Sequence, residues 1–181
     1  MTASTTVLML SGPNLNLLGE REPSVYGTTT LAELVDATTR RAADHGLGIE
    51  HHQSNHEGDL VDLVHAARGR CAAIVVNPGA LTHYGWSLHD ALATFDGPVV
   101  EVHLSSPAAR EPWRHTSVVS PVASGTISGF GPLGYLLAIS AVADLLGERL
   151  ALASAPPPPP PTAGSSSDVT TSEGATKEVT S

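Results

Sequence analysis

Residues 72–77 read Ala-Ala-Ile-Val-Val-Asn, followed by Pro78 and Gly79. A short apolar run without polar alternation, stopped by turn residues, is the pattern of a strand buried on both faces of a parallel sheet. The pattern to either side agrees. Upstream, Glu57–Arg68 carries Leu60, Leu63, Val64 and Ala67 at helical spacing, and Leu47–Gln53 reads as a strand. Before these, Thr30-Leu31-Ala32-Glu33 is a capping box opening a helix with Leu31, Leu34, Val35 and Thr38 on one face and Gly46 beyond its end. The apolar run Thr6–Ser11, stopped by Gly12 and Pro13, begins the series as another buried strand. Downstream come a helix over Tyr84–Thr94, a strand over Pro98–Leu104, a weaker strand over Gly125–Ser128 and an amphipathic helix over Tyr135–Leu146. Strands alternating with helices predict an α/β three-layer sandwich with a parallel sheet, and five strands suit the flavodoxin-like order 2-1-3-4-5.

Ligands of such a sheet sit outside the carboxyl ends of its strands. Past strand one lie Asn14, Asn16, Arg21 and Tyr26; past strand three, Asn77, Thr82 and His83; past strand four, His103, Ser105, Arg110 and Arg114. Gly12–Gly27 is a connection of about sixteen residues, long for a compact domain, and is expected to act as a lid. Within it, Tyr26 follows Arg21 by five positions, close enough for a guanidinium to help ionise a phenol. Glu101 and His103 lie two apart on an apolar strand, so both point to one face, with Ser105. A carboxylate there orients the imidazole and favours its charged form, which makes a general acid.

Composition narrows the function. The chain has 181 residues, a formal charge of −9 and one cysteine, Cys71. An acidic chain without a basic run is not expected to bind nucleic acid or an anionic membrane. A lone cysteine excludes an intramolecular disulfide and a cysteine-based zinc site, and points to a reducing compartment, the cytoplasm. No apolar run reaches the ~18 residues of a membrane helix, and residues 1–10 carry no basic segment. The only lysine is Lys177, so residues 1–155 cannot form a Schiff base. Residues 156–181 open with six prolines and continue in Ser, Thr, Gly and Ala. They are expected to be a disordered tail on a single catalytic domain, 1–155.

Two patterns are set aside. Gly129–Gly134 matches G-x-G-x-x-G but follows the last strand, with no ribose-binding acid after it. His51, His52, His56 and Glu57 have metal-ligand chemistry, yet His51 and His52 point to opposite faces of a strand, so no metal site is expected.

Four blocks then make the sequence recognisable: GPNLNLLGEREPSVYG at 12–27, HHQSNHEGDLVDLVHAA at 51–67, NPGALTHYGWSLHDAL at 77–92 and EVHLSSPAAREPWRHTS at 101–117. In residue type, order and spacing the chain resembles the type II 3-dehydroquinate dehydratases over residues 5–147. The resemblance implies loss of water from 3-dehydroquinate to give 3-dehydroshikimate, by anti elimination through an enolate and without metal or cofactor. It implies that Tyr26 is the base, Arg21 lowers its pKa and stabilises developing charge, and His103, held by Glu101, is the acid. Asn77, His83, Leu104, Ser105 and Arg114 match substrate contacts, Arg114 being suited to grip a carboxylate bidentately. Asn14 lies at the base of the lid. Asp90 matches a residue that reaches a neighbouring subunit's site, so a dodecamer built from trimers is implied too.

Ser11, Gly85, Trp113 and Thr116 stand where the family more often has Asn, Ser, Phe and His. Two other readings remain open on the sequence: a flavodoxin-like module binding FMN or a phosphate, and a catalytically silent relative whose polyproline recruits an SH3-like partner.

Overall fold

The computed structural model describes residues 5–20 and 28–154, with side chains described through Gly147. Its parallel sheet has the order β2-β1-β3-β4-β5, with β1 Thr6–Ser11, β2 Gly48–Gln53, β3 Ala73–Asn77, β4 Val99–His103 and β5 Gly125–Ser128. This is the expected topology. The α-helices are α1 Leu31–Asp44, α2 Glu57–Ala67, α3 Trp86–Ala93 and α4 Leu133–Ser154.

Period-two alternation divides the core. Val7, Met9, Ala73, Val75, Val100 and Val102 pack on one face beneath α1 and α4. Leu8, Leu10, Ile74, Val76 and Val99 pack on the other beneath α2 and α3. A fully buried aliphatic side chain contributes about 1.5–3 kcal/mol. Most of the sheet's stability therefore resides in β1, β3 and β4, whereas the edge strand β5 has none of its four residues buried. The capping box forms as expected: the Thr30 hydroxyl accepts from the Glu33 amide at 3.3 Å, and Glu33 accepts from the Thr30 amide at 2.9 Å.

Three segments differ from expectation. The helix predicted from Tyr84 begins at Trp86, because residues 79–83 wind into a tighter 3-10 turn that carries Thr82 and His83 back over the ends of β3 and β4. The closing helix runs from Leu133 to Ser154, longer than Tyr135–Leu146. The stretch read as one long loop begins with structure: Leu15–Leu17 is a 3-10 turn with Leu15 and Leu18 buried against the α1/α4 core. Its second half, including Arg21 and Tyr26, lies outside the described residues.

Gly12 pins the ends of the two central strands together. Its amide donates to the Asn77 carbonyl at 2.8 Å, and a Cβ there would lie 2.4 Å from the Pro78 oxygen, so the approach admits no side chain. No helix of the described residues is long and apolar enough to cross a membrane.

Candidate active site

The carboxyl ends of β1, β3 and β4 open into a cavity of about 120 Å³. Its walls include Asn14, Asn77, His83, His103, Leu104, Ser105, Arg110 and Arg114, eight of the residues singled out from the sequence. Asp90 is not among them. It lies on the outer side of α3 with its side chain 85% exposed. Arg21 and Tyr26 lie outside the described residues.

Glu101 is fully buried on the α2/α3 face, paired in register with Val76. A carboxylate in that position must be saturated with donors, and it is. The Glu101 Oε1 accepts from Thr82 Oγ1, from His103 Nε2 at 2.7 Å and from Ser117 Oγ at 3.1 Å. Its Oε2 accepts from Ser117 Oγ at 3.2 Å and from Thr126 Oγ1 at 3.3 Å. Burial alone would raise the carboxyl's pKa. The bonds from His103 and Thr82, the charge attraction of His103 and the bond from Ser117 outweigh it and hold the carboxyl below its usual range.

Because an ionised carboxylate only accepts, Nε2 of His103 is the protonated donor in this pair. Nδ1 is then the ring nitrogen left to serve a substrate. The expected same-face geometry of Glu101 and His103 is therefore realised as a direct hydrogen bond. Ser117 and Thr126 were absent from the sequence reading. Thr126 is the register partner of Glu101 on β5, whereas Ser117 arrives from a connection whose path no local pattern predicts.

The remaining walls are held as firmly. The Nδ1 of His83 donates to the Thr116 carbonyl at 2.7 Å, and its ring meets Trp113 edge-on with centroids 5.2 Å apart. Arg114 lays its guanidinium over the same indole, 4.0 Å from the ring centre, and its Nε donates to Glu111 at 2.7 Å. Trp113 thus supports two cavity residues at once. Arg110 forms a second cationic wall. Arg110, Trp113 and Arg114 come from the crossover between β4 and β5, which contains only 3-10 turns, at Pro107–Ala109, Pro112–Arg114 and Ser120–Val122.

Asn14 has φ 68°, a left-handed conformation that asparagine tolerates, and its amide donates to Asn55 Oδ1 at 2.9 Å. The glycine run set aside above also acts here. The Gly129 amide donates to the His103 carbonyl at 3.2 Å and that of Gly131 to the Leu104 carbonyl at 2.9 Å, bracing the strand end that carries His103. The histidines of β2 have separate partners: His51 meets Ser11, and His52 meets Glu50. Glu57 accepts from the Leu88 amide at 3.0 Å.

The low pKa of Glu101 has a consequence for stability. Its carboxyl ionises more readily folded than unfolded, so it stabilises the fold above the unfolded value near 4.5. That contribution disappears as pH falls through the lower folded value. Glu101→Gln should therefore flatten the decline of Tm in the acid range below about pH 4.5, measured by thermal melts against pH. A decline as steep as in the wild type would show that the carboxyl is not held low.

Comparison with known proteins shows the family. The sequence model of dehydroquinase class II matches residues 5–143. The 3-dehydroquinate dehydratase 2 of Pseudomonas putida is 55% identical over 145 residues, covering 80% of this chain and 97% of its own length. The 3-dehydroquinate dehydratase of Herpetosiphon aurantiacus is 54% identical over 133 residues, covering 74% and 92%. Among solved structures, the type II dehydroquinase from Propionibacterium acnes superposes with a TM-score of 0.75 at 42% identity, over 80% of this chain and 99% of that one.

Proposed function

Since the chain belongs to the class II dehydroquinase family, we propose that the cavity beside Glu101 and His103 is where it carries out the family's reaction. That reaction is the dehydration of 3-dehydroquinate to 3-dehydroshikimate, and the chain is a carbon-oxygen lyase. It serves the shikimate pathway or quinate breakdown. The elimination is anti and passes through an enolate. Tyr26, as phenolate, takes the proton from the carbon beside the ketone, with Arg21 as the cation that favours the phenolate and stabilises developing charge. The electron pair of that C–H bond rests in the enolate and then forms the new double bond. His103 gives a proton carried on Nδ1 to the departing hydroxyl, which leaves as water, while its Nε2 proton stays on the bond to Glu101. Arg114 holds the substrate carboxylate, Asn77, His83, Leu104 and Ser105 bind the rest, and Asn14 supports the base of the lid. No metal or cofactor enters, because the ketone itself acidifies the neighbouring C–H.

The observation that carries this reading is the hydrogen bond between fully buried Glu101 and His103 at the cavity wall. Mixing the purified protein with 3-dehydroquinate and following the ultraviolet band of the conjugated product tests it, and absence of turnover would overturn it. Borohydride added with substrate should leave activity intact, because Lys177 is the only lysine and no imine can form within residues 1–155. Substrate-dependent inactivation through a covalent adduct would contradict the enolate route.

The active form in this reading is a cytoplasmic dodecamer built from trimers. Residues 1–155 are its catalytic domain, and residues 156–181 take no part in the chemistry. Exposed Asp90, absent from its own cavity wall, completes a neighbour's site. Mixing inactive Asp90→Ala subunits with inactive Tyr26→Phe subunits should then restore part of the activity, because some interfaces combine an intact Tyr26 with an intact Asp90. Mixed oligomers as inactive as their parents would return Asp90 to the ordinary surface carboxylates.

A further inference from the structure

Asn77 closes β3 at the cavity wall, yet both ends of its amide are already engaged from within the protein. Its Oδ1 accepts from the Gly79 amide at 3.1 Å, and its Nδ2 donates to the Tyr135 hydroxyl at 3.0 Å. Tyr135 stands in the first turn of α4 with no exposed surface. Burial pushes its pKa upward, and the bonds to Asn77 and Ser11 only partly offset this, so it remains a neutral phenol. The other polar partner of its hydroxyl is Ser11. Ser11 is the register partner of Asn77 on β1, and its Oγ lies 3.1 Å from His51 Nε2. This second network lies on the α1/α4 face of the sheet, opposite the one that holds Glu101. The two converge on the same cavity: one network holds the acid and the other holds an amide.

We propose that Tyr135 is a positioning residue for substrate binding, its hydroxyl fixing the Asn77 side chain so that the remaining Nδ2 proton faces a substrate oxygen. An amide held only by Gly79 could rotate or flip, leaving Asn77 in the productive orientation for part of the time. Ser11, bonded to the same hydroxyl, keeps the phenol turned toward Asn77. The inference rests on Asn77 being a substrate contact.

Tyr135→Phe keeps the ring and removes the hydroxyl. It should raise KM about tenfold while kcat stays within about threefold, roughly the effect of one hydrogen bond. In an Asn77→Ala background the same substitution should change kcat/KM by less than about twofold, because the group it positions is gone. An equal fall in kcat/KM in both backgrounds, or an unchanged KM with only a lower Tm, would overturn the proposal. If Tyr135→Phe does not fold, Ser11→Ala provides the same cycle, with a smaller KM increase that also vanishes in the Asn77→Ala background. A KM increase that survives there would overturn the proposal equally. Wild-type protein that does not turn over 3-dehydroquinate would instead refute the assigned reaction, a result distinct from an active enzyme with an additive cycle.

Discussion

Replacing His103 with alanine is expected to lower kcat by at least ~100-fold, the usual scale for a positioned acid or base. The hydroxyl that departs from 3-dehydroquinate is a poor leaving group unless it is protonated as its bond breaks. Among the described residues of the cavity wall, His103 is the titratable side chain backed by a fully buried carboxylate. Its removal also has a structural cost. Among the described residues, Glu101 keeps the hydroxyls of Thr82, Ser117 and Thr126 but loses the His103 N–H, and a buried carboxylate that loses a hydrogen-bond donor destabilises a fold. The two effects separate in the double variant Glu101→Gln/His103→Ala. Removing the carboxylate's charge should return Tm toward the wild-type value, while kcat stays at the level of His103→Ala. Recovery of kcat with Tm, or a single variant within tenfold of wild type, would remove His103 from the acid role.

Tyr26→Phe is expected to lower kcat by a similar factor of at least ~100 if Tyr26 is the proposed base, because it removes the phenolic oxygen while keeping the ring. Arg21→Ala should resemble it, and pH distinguishes their roles. A free phenol ionises near pH 10, so a phenolate acting near neutrality needs a cation beside it. Without Arg21, the basic-side requirement of kcat/KM should move upward toward about 10. An unchanged profile would mean that another group ionises Tyr26. Arg110, already a cationic wall of the cavity, would be the next to replace.

The fold was legible because its signals are local and periodic. The uninterrupted apolar run through Val76, the two-residue period that puts Glu101 and His103 on one face, and the three-residue reach of the Thr30 capping box are properties of neighbours along the chain. Turns were less legible. Nothing local shows that residues 79–83 tighten into a 3-10 turn, since that geometry is imposed by the Thr82 bond to Glu101 and the bond from the Val118 amide to the Thr82 carbonyl. Burial of Leu15 and Leu18 in what looked like free loop depends likewise on a core assembled from other segments.

By itself, the sequence determined the parallel α/β sandwich, the edge of the sheet at which the cavity opens, and the shared face of Glu101 and His103. Only the tertiary structure decided what secures those groups. Ser117 reaches Glu101 from sixteen positions away and Tyr135 reaches Asn77 from fifty-eight. Hydroxyl groups of this kind carry no sequence signature, because a Ser, Thr or Tyr is equally acceptable in solvent. Their role arises only when folding encloses a carboxylate or an amide that must find a hydrogen-bond partner.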